Sequence, residues 1–229
     1  MYNPVFDILN LFYPRSCLIC KNSLHNGEDV LCVLCRSDLP LTNFTKHKAN
    51  EVELSFNGRI LIIAATSLLY YHKEGNVQRL IHQLKYRNQQ QIGGFLGVWL
   101  GEEMLLSKRF KHIDYIIPVP LHPKKLKRRG YNQVTTFGRS LEEKLNVPLM
   151  EDVLIRSSGS KTQTLKNRFD RSSNVEEKFE LVDKEVLENK HVLLIDDVVT
   201  TGATLEACCI QLMQASNVKI SIASMTFTV

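Results

Sequence analysis

The run Val192-Leu193-Leu194-Ile195-Asp196-Asp197-Val198-Val199-Thr200-Thr201-Gly202-Ala203-Thr204 decides how the rest of the chain is read. Four apolar residues lead into two adjacent carboxylates. Two valines follow, then a loop of small and hydroxyl residues around Gly202. Beyond the loop, Leu205, Cys208, Cys209 and Leu212 recur at helical spacing. The local expectation is a buried strand, a tight loop and a helix. In an open parallel sheet, such a strand delivers its last residues to the carboxyl edge, where ligands bind.

The residue types at that edge suit one kind of ligand. Two neighbouring carboxylates can each accept a hydrogen bond from a sugar hydroxyl. The loop Thr200-Thr201-Gly202-Ala203-Thr204 offers free N–H groups, three hydroxyls and a helix N-terminus, which attract a phosphate. Gly202 lets the backbone approach without a Cβ in the way. Together they describe a site for a ribose 5-phosphate. A helix-capping loop after a core strand is the plainer alternative. The run resembles the phosphoribosyl pyrophosphate (PRPP) motif of type I phosphoribosyltransferases. That resemblance implies that Asp196 and Asp197 hold the ribose hydroxyls and serve catalysis, while Thr200, Thr201, Gly202, Ala203 and Thr204 cradle the 5′-phosphate.

Working toward the N-terminus, a second stretch follows an expected strand at Ile113–Ile117. It reads Pro118-Val119-Pro120-Leu121-His122-Pro123-Lys124-Lys125-Leu126-Lys127-Arg128-Arg129-Gly130-Tyr131-Asn132-Gln133. Its cations Lys124, Lys125, Lys127, Arg128 and Arg129 are expected in a rigid loop. There they could neutralise pyrophosphate as it leaves, contact nucleic-acid phosphates, or simply face solvent. Gly130 should end the loop before a helix carrying Val134, Phe137, Leu141 and Leu145.

Between these two stretches, Leu149–Ile155 reads as a strand. The polar, basic segment after it contains Arg156, Lys161, Gln163, Arg168 and Arg171. This is the position of the hood that phosphoribosyltransferases close over PRPP, and Lys161, Gln163, Arg168 and Arg171 are candidate contacts. A plain surface loop is the competing reading.

Nearer the start, Cys17-Leu18-Ile19-Cys20 and Cys32-Val33-Leu34-Cys35 are separated by eleven residues. Two Cys-x-x-Cys knuckles at such a distance can close four thiolates around a tetrahedral zinc ion. With all four ligands from protein, the site would be structural. Residues 1–13 are expected to form a short amphipathic turn or helix, and residues 36–57 a connector.

Ile60–Tyr71 reads as one or two buried strands. Val77, Leu80, Ile81 and Leu84 give a helical stripe. A further helix from Gly93 to Leu106 should bury Phe95, Val98, Trp99 and Leu105. Gly93, Gly94 and Gly97 do not form a dinucleotide fingerprint and instead suit close helix packing; a Walker-type loop is absent. After the PRPP run, the helix should end near Asn217 and Val218–Val229 should form a closing strand. Cys208 and Cys209 on the apolar stripe should be packed and inert.

The knuckle pair, Pro-Val-Pro-Leu, Arg129-Gly130-Tyr131-Asn132-Gln133 and the PRPP run, in this order, resemble the ComF family of competence-associated proteins. The resemblance implies an N-terminal helix and a four-cysteine zinc ribbon over 1–58. It implies an α/β, type I phosphoribosyltransferase-like domain over 59–229, with a mainly parallel sheet flanked by helices. It also implies Mg²⁺ with PRPP, single-stranded DNA as a partner, and a role in handling imported DNA alongside other competence proteins. An active phosphoribosyltransferase of nucleotide or amine metabolism is the alternative.

Bulk properties agree with a folded globular chain. The 229 residues are 44% hydrophobic and 23% charged, with 29 basic and 24 acidic residues and a net charge of +5. Four zinc-bound thiolates would reduce this to about +3, a mild excess that suits a polyanionic partner. No basic region precedes the first apolar residues, and the longest apolar stretch falls short of the roughly 18 to 20 residues of a spanning helix. A cytoplasmic protein without membrane insertion is expected, its cysteines serving metal binding or packing instead of disulfides.

Overall fold

The computed structural model describes residues 15–157 and 178–229. Its centre is a four-stranded, all-parallel sheet built from β1 (Ala64–Tyr71), β2 (Tyr115–Pro118), β5 (His191–Val199) and β6 (Lys219–Thr228), in the order β1-β6-β5-β2. β6, expected as a closing strand, is interior: it pairs with β1 on one side and β5 on the other. Ile222, Ala223 and Met225 along it are fully buried, as a strand covered on both faces requires.

Helices cover both faces. α3 (Asn76–Tyr86), α4 (Gln91–Leu106) and α6 (Thr135–Leu145) contribute to one core, which includes Leu193 and Ile195 of β5. α2 (Glu51–Phe56) and α7 (Ala203–Leu212) contribute to the other, with Val192 and Leu194. The knuckle region joins the first core through Cys17, Leu18, Val30 and Leu31, followed by the short α1 (Val33–Ser37).

Several elements differ from expectation. The cation-rich loop is a helix, α5 (Pro123–Arg129). Pro123 opens it, His122 Nδ1 accepts from the Lys124 N–H at 3.1 Å, and Gly130 closes it at φ +82°. Three cations in the last turn complement the helix dipole. The strand expected at Leu149–Ile155 contracts to β3 (Leu154–Ser157), with Leu149 making only a single bridge to Ile116. β3 pairs antiparallel with β4 (Lys178–Leu181), outside the main sheet. α7 stops at Leu212, short of Asn217.

The buried face of α4 is also shifted. Ile92, Leu96, Leu100 and Met104 are buried together with Gly93, Gly97 and Gly101, whereas Leu105 is 59% exposed. The glycines mark the face that approaches α6. Phe95 and Trp99 are half-buried, and the Arg36 guanidinium covers them at 5.6 and 4.6 Å from their ring centroids.

Candidate functional site

β5 outruns its neighbour. β2 ends opposite Ile195, so Asp196 and Asp197 project beyond the last β2 pairing while still laddered to β6. Alternation along the strand sends successive side chains to opposite faces. Asp197 follows Leu193 and Ile195 toward the α3 side, and Asp196 follows Leu194 toward α7. Both carboxylates nonetheless line one cleft at the carboxyl edge, a space of about 1360 Å³. Thr200, Thr204, Lys125, Arg128 and Arg129 line it too.

The Asp197 carboxylate is heavily engaged. Lys85 Nζ lies 2.9 Å from Oδ2, and Gln133 Nε2 donates to that same oxygen at 2.6 Å. Arg129 in turn donates to Gln133 Oε1. Asp196 sits differently. Its Oδ1 accepts the Asp197 backbone N–H at 2.8 Å. Burial and then the neighbouring Asp197 charge push its carboxyl up to about 8, against the pull of that N–H, Lys85 and Arg156. The pair is thus asymmetric: one acid is ion-paired and the other holds its proton toward neutral pH.

The Arg129–Gln133 segment now has a local role at each position. Arg129 supports Gln133 and lies 5.6 Å from the Tyr86 ring centroid. Gly130 takes the left-handed conformation that closes α5. Tyr131 donates its hydroxyl to the Leu84 carbonyl near the end of α3. Asn132 Nδ2 holds the Val119 carbonyl at 3.1 Å, fixing the Pro-Val-Pro turn. Gln133, 7% exposed, carries the segment to Asp197. Lys85 was missed in the sequence because it falls in an ordinary helix turn; only its three-dimensional neighbours distinguish it.

The hydroxyl-rich loop is backed from behind. Gly202 adopts φ +75°, and a Cβ there would meet the Phe56 ring at 2.8 Å and Arg59 at 3.1 Å. Arg59 also donates to the Thr201 carbonyl at 2.8 Å and pairs with Glu206 at 2.8 Å. Thr200, Thr201, Ala203 and Thr204 remain exposed. The structure therefore brings Asp196, Asp197, Thr200, Thr204, Lys125, Arg128 and Arg129 to one cleft. Lys124 and Lys127 sit on α5 outside the cleft lining. Thr201, Gly202 and Ala203 complete the turn without lining the cleft. Lys161, Gln163, Arg168 and Arg171 lie outside the described residues.

At the N-terminal end, the Sγ atoms of Cys17, Cys20, Cys32 and Cys35 all lie within 4.8 Å of one another. The Cys20–Cys32 separation is 3.7 Å. This is close to the edge of about 3.8 Å that a ZnS₄ tetrahedron with ~2.3 Å bonds requires, and far from a disulfide. Burial opposes ionisation of Cys17, but N–H groups of Cys32, Cys20 and Ile19 outweigh it and bring the thiol down to about 6. The four thiols can hold a metal ion. Cys208 and Cys209 are buried in the α7 core, and burial pushes Cys209 up to about 12.

A parallel sheet with acids and a hydroxyl-rich turn at its carboxyl edge defines a phosphoribosyltransferase-type fold, and residues 135–228 match the phosphoribosyl transferase domain family. Adenine phosphoribosyltransferase from Thermoanaerobacter pseudethanolicus aligns over 66% of this chain and 73% of its own, with 17% identity and a TM-score of 0.41. The Bacillus subtilis glutamine PRPP amidotransferase aligns over 62% of this chain and 30% of its own, with 18% identity and a TM-score of 0.40.

Sequence relatives narrow the class. Competence protein F of Haemophilus influenzae is 29% identical over 203 residues, covering 85% of this chain and 89% of that protein. DNA utilization protein YhgH of Escherichia coli K12 is 31% identical over 129 residues, about half of each chain at 55% and 56%. These relatives, the four-cysteine cluster and the phosphoribosyl transferase domain fit a ComF-like protein. Among the described residues, no helix is long and apolar enough to cross a membrane.

Proposed function

We propose that this ComF-like protein binds PRPP with Mg²⁺ at the β5 edge and acts on single-stranded DNA during its uptake or use. One observation carries the reading: two acids, two threonines and three cations from separate elements line a single cleft. Asp196 and Asp197 receive the ribose hydroxyls. Thr200 to Thr204 hold the 5′-phosphate at the α7 N-terminus, where free N–H groups favour an anion. Lys125, Arg128 and Arg129 neutralise the diphosphate, with Lys124 and Lys127 adding to the local field. The acid pair beside a phosphate site suits magnesium, which prefers a few carboxylates plus substrate phosphates, and whose charge would favour release of the Asp196 proton. When bound, it would supply charge neutralisation to the diphosphate oxygens.

In a transfer reaction, a nucleophile attacks the anomeric carbon. The C1–O bond breaks, its electron pair leaves with pyrophosphate, and the nucleophile's proton passes to a base or to solvent. The chain's contribution is positioning and preorganised charge. Lys161, Gln163, Arg168 and Arg171 would cover the bound sugar. Zinc would be the structural ion of the four-cysteine cluster. The DNA role draws on the names of the relatives, Competence protein F and DNA utilization protein YhgH, together with the basic cleft. Cytoplasmic residence and cooperation with other competence proteins belong to the same proposal. An enzyme of nucleotide or amine metabolism is the second reading, favoured by the transferase-type site itself.

Calorimetric titration of PRPP with magnesium tests the site. Asp196→Asn and Asp197→Asn should each weaken binding by at least tenfold, and unchanged affinity would remove the assignment. Turnover with pyrophosphate release, screened against nucleobases, amines and single-stranded DNA, separates the two readings.

A further inference from the structure

Lys85, Tyr86, Arg128 and Arg129 have two sides. On one they line the large cleft with Asp196 and Asp197; on the other they enclose a separate pocket of about 260 Å³. Asn88 and Tyr131 complete this second space, and neither lines the cleft. Asp196, Asp197, Thr200 and Thr204 lie on the cleft side alone. The pocket falls below the ~300–1000 Å³ usual for a small-molecule site, so it suits a small occupant.

Its lining is one-signed. Three cations and no carboxylate border it among the described residues. Two helix ends oppose an anion there, because α3 finishes at Tyr86 and α5 at Arg129. Each such end carries roughly half a negative charge, against a full positive charge on Lys85, Arg128 and Arg129. The exposed carbonyls of those ends are also quenched. The Tyr131 hydroxyl donates to the Leu84 carbonyl, the Arg87 N–H to Gln83 at 2.9 Å and the Gly130 N–H to Leu126 at 2.7 Å. The cations therefore dominate.

Two neighbours refine the pocket. Asn88 takes a left-handed φ of +55° just beyond α3. Its Oδ1 accepts from Gln90 Nε2 at 3.0 Å, which leaves its own amide N–H groups for a ligand. The Tyr86 ring steadies Arg129, whose guanidinium lies 5.6 Å from the ring centroid.

Two of these cations are already committed on the cleft side. Lys85 Nζ stands 2.9 Å from Asp197 Oδ2. Arg129 donates to Gln133, which donates in turn to that same oxygen. An anion seated behind them competes with Asp197 for both. Asp197 is buried, so water cannot replace what it loses.

We propose that the pocket between the ends of α3 and α5 is an inhibitory site for an inorganic phosphate anion, pyrophosphate above all, whose occupant draws Lys85 and Arg129 off the Asp197 network. The inhibition rests on the PRPP reading; the anion site itself does not. Pyrophosphate is the expected occupant because a transfer in the cleft releases it beside this wall. Accumulating product then weakens the next PRPP without taking its place. By linkage, PRPP weakens the anion by the same factor.

The test begins with calorimetric titration of pyrophosphate into the zinc-loaded full chain, empty and saturated with PRPP, magnesium in excess throughout. One pyrophosphate per chain should still bind when PRPP fills the cleft. Asn88→Asp keeps the size, the acceptor and the left-handed backbone but sets a negative charge in the pocket. It should weaken that binding at least tenfold. Asn88→Gly tolerates the same backbone and removes only the amide, and should weaken it about two- to tenfold. Orthophosphate is the second titrant: weaker binding names the diphosphate as the occupant, and equal binding a single phosphoryl group. Departure of labelled PRPP, chased with excess unlabelled PRPP, should then quicken at least fivefold when pyrophosphate is added. A ligand that merely competes for the cleft cannot alter the departure of PRPP already bound. Asn88→Asp should abolish the acceleration and keep PRPP affinity in pyrophosphate-free buffer. A PRPP-filled chain that takes up no pyrophosphate would overturn the proposal. So would binding indifferent to Asn88→Asp, or a departure rate that pyrophosphate leaves alone. If PRPP itself does not bind, the cleft reading fails, and the pocket stands or falls on whether Asn88→Asp weakens pyrophosphate on the empty chain.

Discussion

The ammonium of Lys85 and the Gln133 amide converge on one oxygen of Asp197, at 2.9 and 2.6 Å. α3 and the Arg129–Gln133 segment are distant in sequence, yet both end on this atom. Asp197 is only 5% exposed, so its charge depends on these partners and not on water. The segment's most characteristic residues therefore also orient an acid: Gln133 holds Asp197, and Arg129, which lines the cleft beside Lys125 and Arg128, holds Gln133.

Removing Lys85 should be costly. Breaking one partner from a fully buried pair costs about 3–5 kcal/mol. The Lys85 side chain is 23% exposed, so screening reduces the expected loss for Lys85→Met to about 1–3 kcal/mol. Lys85→Met/Asp197→Asn should recover much of it, because the orphaned charge is gone. A urea-unfolding double-mutant cycle measures the coupling; additive losses would show that the two groups do not interact.

Asp196 predicts a pH dependence. Its carboxyl is raised in the folded protein to about 8, from an ordinary value near 3.8. The folded state then holds a proton that the unfolded state releases, so its stabilising contribution is complete below about pH 4 and fades as pH rises toward 8. Asp196→Asn should leave stability unchanged at pH 4 and raise it relative to the parent at pH 8. Denaturant midpoints across that range give the comparison. A gap that stays constant with pH would remove the shift.

Much of this arrangement was legible in the residues. The strand into Asp196-Asp197, the turn at Gly202 and the cysteine pairs were readable because each is a local pattern with a local cause. The α5 helix was not, although both its signals were present. Pro123 and Gly130 are helix start and stop residues, but five like charges in six positions, set among prolines, point to a rigid loop; capping and the dipole outweigh that repulsion. The α4 face was misread because Phe95 and Trp99 outweigh glycine on any hydrophobicity scale. The contact with α6 is instead made where side chains are absent. Lys85 and the Phe56–Arg59 backing of Gly202 depend on long-range contacts that no periodicity encodes.

The cysteines should divide by environment. Cys17, Cys20, Cys32 and Cys35 are close enough to share one ion, whereas Cys208 and Cys209 are buried in the α7 core. Thiol titration of the zinc-loaded protein should show little fast reaction. A chelator should release one zinc and expose four reactive thiols, with Cys208 and Cys209 reacting only on unfolding, since burial holds Cys209 near 12. Chelation should also lower the melting temperature, because the ion replaces burial that so short a module lacks. Six thiols reacting together in the folded state would contradict this division.

The glycines of α4 should respond unequally to one added methyl group. At Gly97, a Cβ would stand 2.6 Å from the Phe137 carbonyl oxygen and 2.8 Å from Ser140 Cβ, both on α6. Neither can yield without moving a helix, so Gly97→Ala should cost about 1–3 kcal/mol through overpacking. At Gly94, the nearest atom is the Ser140 hydroxyl at 3.5 Å, an ordinary contact. There the helix propensity of alanine acts alone, and Gly94→Ala should be neutral or stabilising by up to about 1 kcal/mol. Since α6 follows directly from Gln133 and Val134, separating the helices should also loosen the Gln133 contact with Asp197. Gly97→Ala should therefore lower PRPP affinity as well as the urea midpoint, and Gly94→Ala should spare both. Equal effects at the two positions would mean that close approach is not what the glycines provide.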